Sequence, residues 1–242
     1  MVPQLQEYYR DLKLKKTAGE IMKRNVDLKD ISDGNLYGLN DMVKADCQDC
    51  KGCSDCCRGM GESIILDPLD IHRLKENLGL SFDELLQDKI ELHLVDGVIL
   101  PNLKMSGERD CCTFLDETGR CSIHGFRPGI CRLFPLGRYY ENRSFQYFLQ
   151  VHECKNTNRS KVKVKKWIDT PEVAKYQQFI SDWHFFLNDV ENWLETVVEE
   201  QMRKEVVLLI LQTFYVQIFH SGKDFYEQFN QRLSEVKSYL HL

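Results

Sequence analysis

Half of the ten cysteines in this chain fall within eleven consecutive residues, Cys47-Gln-Asp-Cys50-Lys-Gly-Cys53-Ser-Asp-Cys56-Cys57, and no other feature limits the fold as tightly. Thiolates two residues apart on a tight turn can converge on one ion or one cluster, so the stretch reads as a set of metal ligands. Cys47-x2-Cys50-x2-Cys53-x3-Cys57 has the intervals of the bacterial ferredoxin run, with Arg58 where a proline usually follows. Paired C-x2-C units joined to distant cysteines are equally the pattern of structural zinc. The spacing leaves both metals open.

Compartment decides how the other thiols are read. The first ten residues hold no apolar core of the kind a signal peptide needs, and no apolar run approaches the roughly eighteen residues of a membrane span. A cytoplasmic location is therefore expected, where lasting disulfides are rare and clustered cysteines serve metals or redox chemistry. The neighbouring pairs Cys56-Cys57 and Cys111-Cys112 also suit disulfides poorly, because adjacent residues bridge only with strain. A net charge of −5 and an isoelectric point near 5.8 argue against a general nucleic-acid binder.

Taken in order, residues 1–45 are charged and helix-forming, broken by Gly19, Gly34 and Gly38, and are expected to form a helical N-terminal arm. Residues 46–156 are expected to form a cysteine-rich domain of short hairpins and helices. Within it Ser63-Ile-Ile-Leu66 reads as a short strand, and Asp67-Pro68 as a helix start running to Gly79 with Leu69, Ile71 or His72, and Leu74 inward. Ser81 with Glu84 forms a capping box for a second helix. Asp96-Gly97 marks one hairpin and residues 138–151 a second. Glu117-Thr-Gly119 is a turn that folds Cys112 and Cys121 towards each other. Residues 157–169 read as a basic linker: the run 155–166 holds six basic residues and no acidic one. A solvated loop is favoured there over a phosphate or RNA contact, since no aromatic platform interleaves the charges.

From residue 170 no cysteine remains, and apolar residues recur at Val173, Tyr176, Ile180, Trp183, Leu187, Val190, Leu194 and Val197, the spacing of a long helix. Phe179, Phe186 and Trp193 widen the stripe, which favours a packed core over a ligand groove. Two further helices are expected over 205–219 and 225–240. The fold class is α+β: a metal-organised cysteine domain followed by a C-terminal helical subdomain over 170–242.

Cys50-x2-Cys53-x2-Cys56-Cys57, Cys112-Thr-Phe-Leu, Cys121-Ser-Ile-His-x2-Arg-Pro-x2-Cys131-Arg-Leu-Phe-Pro and Cys154 together resemble the YkgJ-type cysteine-cluster family, described as zinc- or iron-chelating proteins. The resemblance covers about residues 47–155. It implies Cys50, Cys53, Cys56, Cys57, Cys112, Cys121, Cys131 and Cys154 as ligands and leaves Cys47 and Cys111 as extra thiols. His124 stands where the family usually has tyrosine. Arg127 and Arg132 match its Arg-Pro and Cys-Arg, and would either offset thiolate charge or pair with Asp67 or Asp70.

Eight thiols exceed the needs of one ordinary site, so they imply two four-thiolate sites or one cluster with supporting thiols. An iron–sulfur cluster is favoured over zinc, because adjacent Cys56 and Cys57 cannot easily place both sulfurs on one small ion. The resulting expectation is a cytoplasmic metal-binding protein. The resemblance extends to flagellin lysine N-methylases, which makes S-adenosylmethionine-dependent protein lysine methylation the enzyme alternative, although no Gly-rich strand-to-helix turn is present to cradle a nucleoside. The third reading is a zinc-stabilised interaction module whose C-terminal helices bind a protein partner.

Overall fold

The architecture follows from hairpins that return the chain to its starting place, in a computed structural model that describes residues 27–48, 53–108, 110–156 and 158–242. The first described helix is one turn, α1 (Leu28–Ile31), capped by Asp27, whose carboxylate accepts from Lys29 N at 3.0 Å. Strands β1 (Ser32–Tyr37) and β2 (Met42–Asp46) follow. The helical arm expected over 1–45 is therefore replaced by strands across most of its described part, and residues 1–26 lie outside the described residues. Long-range pairing outweighs local propensity here. Strand β1 joins the strand Ser144–Gln150, with Leu36 opposite Phe148 and Tyr37 opposite Tyr147, while β2 joins the strand Ser160–Lys163, with Val43 opposite Val162.

Helix α2 (Pro68–Leu78) starts as its sequence predicts. Asp67 caps it, Pro68 supplies the first helical residue, and Gly79 ends it in the left-handed region at φ 67°. The Asp67 side chain accepts from Asp70 N at 2.9 Å and the Asp70 side chain from Asp67 N at 3.2 Å. Leu69, Ile71 and Leu74 are buried and His72 only partly so. Ser81 and Glu84 close the expected capping box on α3 (Phe82–Asp88). The hairpin β3 (Ile90–Val95) and β4 (Val98–Leu103) turns on Asp96-Gly97, both at positive φ. Every residue of β4 is buried. The expected strand over 63–66 forms a single bridge, Ile65 to Asn102, flanked by backbone bonds from Leu66 N to Pro101 O (2.8 Å) and Leu103 N to Ile64 O (2.9 Å).

Short strands β5 (Met105–Ser106) and β6 (Cys111–Cys112) pair with each other, and α4 (Gly129–Leu133) follows. The second expected hairpin is β7 (Leu136–Glu141) and β8 (Ser144–Gln150), joined by Asn142 and Arg143 at positive φ. The segment read as a linker contains β9 (Ser160–Lys163) and α5 (Val164–Ile168). Val164 and Ile168 are buried, and Trp167 Nε1 donates to Leu133 O at 3.1 Å. That basic stretch is thus structured against the cysteine-bearing part, because its apolar residues alternate with the lysines and have a core to enter.

Three helices complete the chain: α6 (Val173–Thr196), α7 (Glu200–Leu211) with a π turn over Gln212–Val216, and α8 (Phe225–Leu240). Their aromatic stripe is packed core, with Phe179 edge-on to Phe229 at 4.7 Å and Trp183 against Phe214 at 4.9 Å. Arg232 caps the π turn by donating to the carbonyls of Thr213, Gln217 and Ile218. Tyr215 Oη donates to Leu66 O at 3.1 Å, and buried side chains from β2 to α8 form one contiguous core. The α+β class stands. Among the described residues no helix is long and apolar enough to cross a membrane.

Candidate metal centre

Three separate devices deliver the thiols. The first is a single 3-10 turn over Asp55–Cys57, stitched to β6 by the bridge between Arg58 and Cys111 and by Gly59 N donating to Asp110 O at 2.8 Å. This sets Cys56 and Cys57 beside Cys111 and Cys112. The second is the predicted turn after β6. Asp116 organises it, its carboxylate accepting from Thr118 N (2.9 Å), Thr118 Oγ1 (2.7 Å) and Arg120 N (2.8 Å). The closing bridge from Leu115 to Cys121 brings Cys121 back over Cys112.

The third device is α4, which carries Cys131. Buried Asp70 holds its start by accepting from Gly129 N at 2.8 Å, in addition to its role in capping α2. Burial, with Asp67 beside it, raises the Asp70 carboxyl above its ordinary range. One carboxyl therefore fixes both the start of α2 and the turn that presents a thiol.

Four cysteines share one neighbourhood. Cys131 feels the charges of Cys112, Cys56 and Cys121; Cys112 feels Cys121 and Cys56; Cys121 feels Cys56. Every pair among Cys56, Cys112, Cys121 and Cys131 is thus within electrostatic reach. Burial is the main cause raising the Cys131, Cys112 and Cys121 thiols, and for Cys56 the hydrogen bond with Cys57 leads, followed by burial. Arg127 and Arg120 act in the opposite direction on Cys121.

The remaining expected ligands are placed less centrally. Cys57 interacts with Cys56, and Cys53 Sγ lies 3.7 Å from Asp55 Oδ2. At Cys53 the largest influence, a backbone hydrogen bond at Asp55, lowers the thiol, but burial and the charges of Asp55 and Cys56 raise it overall. Cys154 is half-buried, and its neighbour Lys155 reaches Asp55 Oδ1 at 3.8 Å. Cys50 lies outside the described residues. Of the two extra thiols, Cys47 is buried at the end of β2 and acts on Cys56. Cys111 Sγ accepts from Arg58 Nη1 at 2.8 Å.

Arg58 is the residue sequence reading passed over, as only the occupant of the proline position in a ferredoxin-like run. Its sole sequence signal was being a cation next to the cysteines. Arg127 bonds to His124, through O at 2.8 Å and at the ring nitrogens, so the imidazole faces a guanidinium. Arg132 takes neither Asp67 nor Asp70: it donates to Gly125 O (2.8 Å) and Asp169 O (3.1 Å) and thereby ties α4 to the end of α5.

A donor set of four sulfurs suits zinc and iron alike. Among the described residues, no three Cys, His, Asp or Glu side chains are drawn tightly enough together to hold one ion as they stand. Residues 49–155 match the family model "CxxCxxCC: Putative zinc- or iron-chelating domain". Neither the curated proteins nor the solved structures gave a match to the chain. That match agrees with the resemblance drawn from the cysteine motifs.

Proposed function

We infer that this protein holds an iron–sulfur cluster through Cys56, Cys112, Cys121 and Cys131, with Cys50, Cys53, Cys57 and Cys154 as its supporting or second set of thiols. One observation carries the reading: the bridges from Arg58 to Cys111 and from Leu115 to Cys121, with the hydrogen bond from Gly129 to Asp70, draw the segments that bear Cys56, Cys112, Cys121 and Cys131 into one neighbourhood. Such a concentration of potential negative charge is stable only when compensated. Bound there, a cluster would supply one-electron chemistry. The chain's own residues do the rest. Arg127 and Arg120 offset charge at Cys121, Arg58 holds Cys111, and Asp70 keeps the Cys131 turn in place. A reducing cytoplasm fits the proposal, since it keeps the thiols available for metal.

Anaerobic purification, followed by absorption spectroscopy and metal and sulfide analysis, tests this. A brown protein with broad visible absorption and with iron and acid-labile sulfide in comparable amounts is the expected result. A colourless protein loaded with zinc sinks the cluster and leaves a structural thiolate site in its place. Retention of full metal content in Cys131→Ser would refute the ligand assignment.

A further inference from the structure

The sheet formed by β2 and β9 has one face in the core and the other in solvent. Val43 and Ala45 are buried at 1% and 0% exposure, and Val162 packs beside them. By the two-residue period of a strand, Met42, Lys44, Lys161 and Lys163 point the other way, and all four are exposed. Met42 lies opposite Lys163 and Val43 opposite Val162, and the register shifts between Val43 and Asp46, where Lys44 is exposed. Lys165 and Lys166 on α5 extend it and are also exposed. Among the described residues none of these five lysine side chains has an ion-pair or hydrogen-bond partner. The whole chain carries a charge of −5, and five lysines gathered on one small face make it locally rich in positive charge.

We propose that this face binds an extended acidic polypeptide segment, laid along β9 with its carboxylates over Lys44, Lys161, Lys163, Lys165 and Lys166. Same-face residues of a strand lie about 6.6–6.8 Å apart. An extended peptide with acidic residues at every second position repeats at the same interval, so two of its charges meet Lys161 and Lys163 in register, while Lys44 on β2 and Lys165 and Lys166 on α5 flank them. Nucleic acid fits less well. None of the residues named on this face is aromatic, and the nearby indole of Trp167 is held against Leu133 O, which leaves no stacking platform for bases. The cations are all lysines, point charges without the planar fork that Arg offers to phosphate.

The test is fluorescence anisotropy of the full-length protein with a labelled twelve-residue peptide of alternating Glu and Thr. Binding should weaken as salt is raised. Combining Lys161→Glu with Lys163→Glu should weaken it about tenfold or more, while Lys223→Glu, exposed at a distant turn, should leave it unchanged. Lys161→Gln with Lys163→Gln removes the charges without reversing them and should also lose affinity, which covers the case that the charge-reversed protein does not fold. The proposal is overturned if a labelled uridine oligonucleotide binds more tightly through the same lysines. It is also overturned if neither probe binds at low salt, or if a peptide with six Glu followed by six Thr binds as well as the alternating one.

Discussion

Substitution of Gly129 by Ala puts the coupling between packing and the thiol site under direct test. Gly129 is buried at the start of α4, two residues before Cys131, and donates its N–H to Asp70. An added Cβ would overlap Tyr176 Oη and come within 3.7 Å of Asp70 Oδ1. Tyr176 cannot easily give way: it is 1% exposed, and its Oη accepts from Arg138 Nη2 at 3.0 Å. Overpacking of this kind costs about 1–3 kcal/mol. At this chain length each kcal/mol lowers Tm by about 2–4 °C. Tyr176→Phe alone should also cost about 1–3 kcal/mol, because it strips a partner from a guanidinium that is buried and whose Nε already lacks one among the described residues. The double variant removes the clashing oxygen along with its bond, so it should be more stable than the sum of the single losses by about 1–2 kcal/mol. Urea unfolding followed by the fluorescence of the three tryptophans measures all four corners of the cycle. Metal content should fall in Gly129→Ala and recover partly in the double variant, since the same displacement moves Cys131. Additivity of the two losses within about 0.5 kcal/mol would refute the steric account.

Two other outcomes are expected. His184 stacks on Tyr140 at 3.5 Å, and burial, aided by the charge of Arg138, lowers its pKa from 6.5 to about 4. The unfolded chain therefore binds more protons between these values, so stability from this group is full above pH 6.5 and is lost as pH falls towards 4. A change from 6.5 to about 4 sets a ceiling of about 3 kcal/mol, reduced to about 1–2 because the ring keeps some solvent contact. Stability curves for the protein and for His184→Gln should differ in slope only in that window, and parallel curves would exclude the effect. Separately, a fragment limited to residues 49–155 should fail to fold, because it lacks β1, β2 and β9 and the Tyr215 and Tyr176 sides of the core. Dispersed amide resonances from that fragment would contradict this.

The elements that sequence reading located are those written in local chemistry. Asp67-Pro68 and Ser81 with Glu84 predicted helix starts because caps act within one turn. Asp96-Gly97 and the turn organised by Asp116 were legible because they depend on positive φ or on a side chain bonding its own backbone. Strands β1 and β2 were hidden for the opposite reason. Ser-Asp-Gly-Asn in β1 has poor strand propensity, and its partner, β8, lies more than a hundred residues on. The alternation of Val43 and Ala45 was the only hint of β2. At the site, residue types and turns indicated the thiols, whereas the contact of Arg58 with Cys111 and of Asp70 with Gly129 arises only when distant segments meet.

The order in which the site's walls occur along the chain has a consequence for synthesis. Cys131 is the last of the four mutually facing thiols, while α8, which completes the aromatic layer, ends at Leu240, 109 residues later (240 minus 131). At about 5–20 residues per second, a ribosome needs roughly 5–20 s to cover that distance. Tyr176 and Trp183 emerge partway through that interval and Phe229 only near its end, so for most of it the thiols lack the complete aromatic layer behind them. Whatever reaches the sulfurs during translation, metal donor or oxidant, meets them before the helical layer can shield them. The growing chain's fate is thus a race set by elongation speed, and slowing elongation beyond residue 131 would lengthen the time in which either competitor can act.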